Sequence, residues 1–121
     1  MKYKSFEELP VWRDSIKIGK EIYLLTNSGK FEKDCTLKDQ VRRAVISISS
    51  NIAEGFERSN NNEFIRFLLI AKGSLGEVRS QLYLAFILGY IENSILEEVK
   101  DELGFISYLK KEKAGGNFSN K

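Results

Sequence analysis

Apolar residues recur every three or four positions along four stretches of this chain and almost nowhere alternate as in a strand, which predicts an all-α fold. The first predicted helix opens at Pro10, a residue favoured in the first helical turn, and runs to about Thr26. Trp12, Ile16, Gly19 and Tyr23 form one stripe on it, with Val11, Ile18, Ile22 and Leu25 alongside. Asn27-Ser28-Gly29-Lys30 reads as its stop. The second starts at Thr36, where Thr36-Leu37-Lys38-Asp39 offers a capping box, sets Leu37, Val41, Val45, Ile48 and Ile52 in series, and fades near Gly55. The third carries the strongest signal: Phe64, Leu68, Ala71, Leu75, Val78, Leu82 and Ala85 alternate spacings of four and three, a seam for packing between helices. Asn60-Asn61-Asn62-Glu63 caps its start, and Gly89 ends it. The fourth begins at Ser94-Ile95-Leu96-Glu97 and places Leu96, Val99, Leu103 and Ile106 on one face until about Lys111. Short connections after the second and third helices favour antiparallel neighbours, so the expected architecture is an up-down-up-down four-helix bundle over residues 1–113 with a flexible tail at 114–121.

Composition narrows the chemistry. With 121 residues, 42% hydrophobic and 30% charged, the chain suits one domain with its own core. One Cys and no His exclude an intrachain disulfide, a cysteine-based zinc site and histidine acid–base catalysis. Cys35, between Asp34 and Thr36, has no imidazole to activate it, and no serine has a histidine base. The carboxylate pairs Glu97 with Asp101 and Glu98 with Glu102 lie along one helix instead of converging from separate elements. The expectation is a protein that is not an enzyme and uses no cofactor, metal or small-molecule substrate. The opening residues lack a secretory apolar stretch and no window is apolar enough to span a bilayer, so a cytoplasmic location without a membrane partner is expected.

Three features are candidates for function. Arg13, Lys17, Lys20, Arg42, Arg43, Arg66 and Arg79 give the first three helices a weak basic bias, which attracts phosphates if assembly gathers them; the plainer reading is a solvated face. Gly73, Gly76 and Ser80 sit within the third helix, where each glycine costs about 1 kcal/mol relative to alanine. Close approach of another helix, from the bundle or from a second subunit, would offset that cost; a phosphate cradle would need such glycines ahead of a helix. On the second helix Arg43, Ser47, Ser50 and Glu54 share a face, with Asn51 beside it. That stripe reads either as a solvated face with an Arg43–Glu54 interaction or as a ligand face or a hydrogen-bonded seam between subunits in which Ser50, Asn51 and Glu54 take part. Beyond its main seam the third helix also carries Ile65, Phe67, Leu69, Ile70, Tyr83, Leu84, Phe86 and Ile87, more than one bundle interior needs, so a homo-oligomer is expected.

Several stretches then act together. Phe6-Glu7-Glu8-Leu9-Pro10-Val11-Trp12, Asp39-Gln40-Val41-Arg42-Arg43-Ala44, Ser50-Asn51-Ile52-Ala53-Glu54-Gly55, and Glu63-Phe64-Ile65-Arg66-Phe67 with Ile70-Ala71-Lys72-Gly73-Ser74-Leu75-Gly76-Glu77 resemble the bacterial four-helix-bundle proteins called 23S rRNA intervening-sequence proteins. The resemblance covers about residues 3–92 and implies a left-handed four-helix bundle assembled as a homopentameric ring or barrel. Relatives of that family include the accessory variability determinant of diversity-generating retroelements, whose basic pentamer works with a reverse transcriptase and nucleic acid. Where the family commonly has a proline before Asn-Ile-Ala-Glu-Gly this chain has Ser49, which predicts a weaker kink. The functional expectation is a homo-oligomeric binding or scaffold protein whose partner is RNA, DNA or a nucleic-acid-handling protein. The alternative is a structural or protein-interaction module that binds no nucleic acid.

Overall fold

The computed structural model describes residues 3–114, without the side chains of Phe105 and residues 107–114. After a 3₁₀ turn at Phe6–Glu8 the chain forms α1 (Pro10–Leu25), α2 (Gly29–Lys33), α3 (Cys35–Glu57), α4 (Asn61–Ile87) and α5 (Asn93–Ala114), and no strand occurs among the described residues. The fold is therefore all-α, with four long helices and one short one. Of the tail expected at 114–121, Ala114 instead closes α5, and the rest lies outside the described residues.

The short helix was not predicted. Gly29 takes φ +60° at the expected stop, and one further helical turn follows that carries Phe31 into the core. Asp34 then caps α3, its Oδ1 accepting from the Leu37 amide at 3.1 Å, so the helix starts before the capping box expected at Thr36. It also runs past Gly55 to Glu57. The other boundaries follow the sequence closely: Asn60 Oδ1 accepts from the Glu63 amide at 3.0 Å at the head of α4, and Gly89 turns the chain beyond its end at φ +81°.

Core packing joins α3 to α1 and α4, and joins α5 to α4 and α1. All seven residues of the α4 seam are buried, as are Leu37, Val41, Val45, Ile48 and Ile52 of α3 and Leu96, Val99, Leu103 and Ile106 of α5. Each large side chain so buried contributes about 1.5–3 kcal/mol. The α3–α4 contact is the most intimate, and Gly55 shows why: a Cβ there would lie 2.6 Å from Phe67 Cβ. Twenty-seven residues separate Ser47 from Ser74, yet Ser74 Oγ donates to Ser47 Oγ at 2.8 Å. These two contacts, Gly55 with Phe67 and Ser47 with Ser74, run in opposite numerical directions, so α3 and α4 are antiparallel.

One end of the molecule is tied by polar groups. Arg42 Nε donates to Thr26 Oγ1 at 2.8 Å, and its guanidinium lies 4.2 Å from the Tyr23 ring centroid, linking α3 to the end of α1. Tyr90 donates its hydroxyl to Asp34 Oδ2 at 2.9 Å and packs its ring on Phe31, 5.5 Å between centroids. The hydrogen bond to Asp34 and the adjacent negative charge hold the Tyr90 hydroxyl above the ordinary phenol range.

Candidate functional site

α4 carries a second seam on its outer side. Ile65, Leu69, Gly73, Gly76, Ser80, Tyr83 and Ile87 follow one another at four, four, three, four, three and four residues, a helical stripe about 33 Å long. Only Gly76 in this series is even partly covered, and Leu69 and Ile87 are each 62% exposed. Ile70, Leu84 and Leu88 extend the apolar surface along one edge. A Cβ built on Gly73 or Gly76 meets nothing within 4 Å. Neither glycine therefore serves a close approach inside the chain; Gly55, which the sequence did not single out, does that. Of the surplus apolar residues, Phe67 is buried and Phe86 packs against the core, while the rest are exposed.

Beside the seam, Gly76, Arg79, Ser80 and Tyr83 of α4 and Lys100 of α5 line an open notch of about 390 Å³. Among the described residues Arg79 makes no ion pair or hydrogen bond, and Lys100 Nζ reaches Glu97 only at 3.5 Å. Lys72, one helical repeat before Arg79, is exposed on the same edge. Two cations and two hydroxyls over a bare stretch of backbone suit an oxyanion such as a phosphate.

The remaining basic candidates do not gather here. Arg42 is turned inward onto Thr26 and Tyr23. Arg66 pairs with Glu63 at 2.9 Å and lies over the Phe67 ring; that hydrogen bond and charge hold the Glu63 carboxyl below its ordinary value. Arg13, Lys17, Lys20 and Arg43 are exposed on α1 and α3, and α1 packs chiefly on the two helices that also flank α4. The polar stripe of α3 divides. Asn51 Nδ2 donates to the Ser47 carbonyl at 2.8 Å and to its hydroxyl at 3.0 Å, part of the network that reaches Ser74. Ser50 stays exposed, and Glu54 pairs with Arg58 at 3.0 Å, not with Arg43. Tyr83 and Lys100 were missed as site residues: Tyr83 reads as surplus apolar surface, and Lys100 is hidden among the carboxylates of α5.

A different environment separates α1 from α5. Asp14, Lys17, Ile18 and Glu21 face Asp101, Glu102 and Ile106 across a groove of about 350 Å³. Glu102 Oε1 is enclosed without a hydrogen-bond partner among the described residues. Burial, then the neighbouring Glu21 carboxyl and Asp14, push the Glu102 carboxyl up to about 7, against the opposing pull of Lys17. No set of three His, Cys, Asp or Glu side chains among the described residues is placed to hold a metal ion, and no described helix is long and apolar enough to cross a membrane.

Long helices around a filled inner seam define the class: an all-helical protein whose outer α4 face is exposed. The 23S rRNA-intervening sequence protein family matches residues 7–110, and the chain belongs to that family. Its fold is similar to the crystal structure of a protein of unknown function from the S23 ribosomal protein family of Bacteroides thetaiotaomicron, with a TM-score of 0.78 at 24% identity, covering 87% of this chain and 95% of that one. No curated protein matches the chain.

Proposed function

We propose that this protein is a non-enzymatic, cytoplasmic homo-oligomeric scaffold that holds RNA or DNA through the basic notch beside α4. The observation that carries this reading is the outer α4 seam, whose exposed apolar residues and unfilled glycine positions suit a protein partner. The antiparallel α3–α4 pair and the short connections support an up-down-up-down, left-handed bundle as the subunit. A ring of five subunits, the assembly implied by the resemblance, needs a second face unlike α4, and exposed Ile16, Tyr23 and Ile46 on α1 and α3 supply a candidate. A net charge of only +2 favours the second reading, a protein-interaction module without nucleic acid.

Light scattering and RNA binding at two salt concentrations test the proposal. An oligomer is expected, with affinity falling about tenfold between roughly 50 and 200 mM salt for two phosphate contacts. Arg79→Gln with Lys100→Gln should flatten that dependence and leave the oligomer intact. A monomer at micromolar concentration defeats the scaffold; an oligomer with no RNA or DNA affinity at low salt leaves the interaction module in its place.

A further inference from the structure

The groove between α1 and α5 runs further than the pocket around Glu102. A second reach of about 380 Å³, lined by Leu24, Leu25 and Ser28 of α1 and by Ile95, Glu98 and Val99 of α5, adjoins the first at Glu21, which lines both. On the α1 wall carboxylates and apolar side chains alternate: Asp14, Ile18, Glu21 and Leu25 follow at steps of four, three and four residues, a stripe about 16 Å long. From α5, Val99 and Ile106 continue the apolar floor, and Glu98 and Asp101 stand exposed above it. Five carboxylates thus face one cation, Lys17, in a chain whose net charge is +2. Glu102 points to a donor from outside the chain on separate grounds: its Oε1 is buried in the groove with no hydrogen-bond partner among the described residues.

We propose that the α1–α5 groove binds a linear aliphatic polyamine, whose ammonium groups pair with Asp14, Glu21 and Glu102 while its methylenes lie on Ile18, Leu25 and Val99. Size argues against a docked helix: ten helical residues, about 15 Å long and about 10 Å across, fill more space than the two reaches of about 350 and 380 Å³ together hold. A slim chain fits. A metal ion does not, since no three carboxylates among the described residues are placed to hold one. Three or four methylenes set neighbouring ammoniums about one helical turn apart, so three ammoniums span the two turns from Asp14 to Glu21, with Glu102 facing them from α5. Burial, then the Glu21 carboxyl, hold Glu102 partly protonated near neutral pH; an ammonium beside it favours the charged form, so binding releases a proton. The charged groups that face Glu102 are Glu21, Asp14 and Lys17 of α1, with Asp101 beside it on α5, and Lys17 competes with the ligand for the same carboxylates. Ile16 and Tyr23, the α1 residues offered to a second copy, lie about half a turn around that helix, so assembly through them leaves the groove accessible.

Equilibrium dialysis of spermidine against the full chain, freed of nucleic acid and held at low salt, tests the assignment. Saturable binding of one spermidine per chain is expected, with affinity falling about tenfold or more from pH 8 to pH 5 as Glu102 takes up its proton. In weakly buffered solution at pH 7 the same titration should release protons. Glu102→Gln should weaken binding about fivefold or more at pH 8 and flatten the pH dependence, which loss of a merely structural carboxyl would not do. Should that variant fold poorly, Asp14→Asn makes the same test of affinity. Lys17→Gln, at an exposed position, should act in the opposite direction and tighten binding about two- to fivefold by removing the competing cation. No saturable binding at millimolar spermidine overturns the proposal. So does equal competition by butylamine or by magnesium at matched ionic strength, the mark of a diffuse counterion layer. A pentalysine peptide that outbinds spermidine also overturns it and gives the groove to a basic protein segment.

Discussion

Leu75 and Leu69 sit less than two turns apart on the same helix, one 2% exposed and the other 62%. The inner face of α4 is buried among the other helices; the outer face leaves Ile65, Leu69, Tyr83 and Ile87 exposed, with Lys100 of α5 at its edge. Both faces show helical spacing, so periodicity finds each seam but does not say which is filled by the subunit itself. The glycines make the same distinction at atomic scale: Gly55 is required by Phe67, while Gly73 and Gly76 face open space.

Substitutions at these paired positions should separate the two faces. Leu75→Ala should cost the subunit about 2–5 kcal/mol in chemical denaturation, whereas Leu69→Ala should change subunit stability by less than about 0.5 kcal/mol and act on assembly. Comparable losses at the two sites would remove the contrast. Next in size, Gly55→Ala should destabilise by about 1–3 kcal/mol, because its Cβ meets Phe67 backbone-proximal carbon that cannot easily yield. Gly76→Ala should instead stabilise the dilute subunit by about 1 kcal/mol through helix propensity. Thermal melts at low protein concentration measure both signs.

The last effect concerns the α1–α5 groove, where polar rather than apolar burial sets the balance. Glu102 is raised from an ordinary 4.5 to about 7, so the folded chain binds more protons than the unfolded one between those values. Its contribution to stability is therefore fullest below about 4.5 and is lost as pH rises through 7, by an amount on the order of 1 kcal/mol after solvent screening. Glu102→Gln should abolish that pH-dependent loss in urea denaturation measured at pH 5 and pH 8; an unchanged slope would mean the carboxyl titrates normally.

What was legible in the sequence followed from local rules. The α4 seam and its Asn60 and Gly89 boundaries appear as predicted, because spacing and capping act over a few residues. α2 escaped because its one apolar side chain, Phe31, is too little to show a period. Asp34 outcompeted Thr36 as the cap of α3, a choice that also serves Tyr90, 56 residues away. The inward turn of Arg42 likewise depends on Thr26, 16 residues earlier, and no local pattern separates it from exposed Arg43. The notch is legible only in part: Arg79, Gly76 and Ser80 were candidates, but Lys100 joins them through the packing of α5 on α4.

Asp34 also decides where the chain tolerates interruption. Its two carboxylate oxygens bind the head of α3 and the hydroxyl of Tyr90, so the connection between α2 and α3 and the one after α4 hold each other in place. The α3–α4 connection at the opposite end is a tight reversal through Ser59, at φ +54°, with Arg58, Ser59 and Asn60 all exposed. A peptide tag or a new pair of termini placed there disturbs little buried backbone, whereas the same insertion beside Asp34 severs two elements at once.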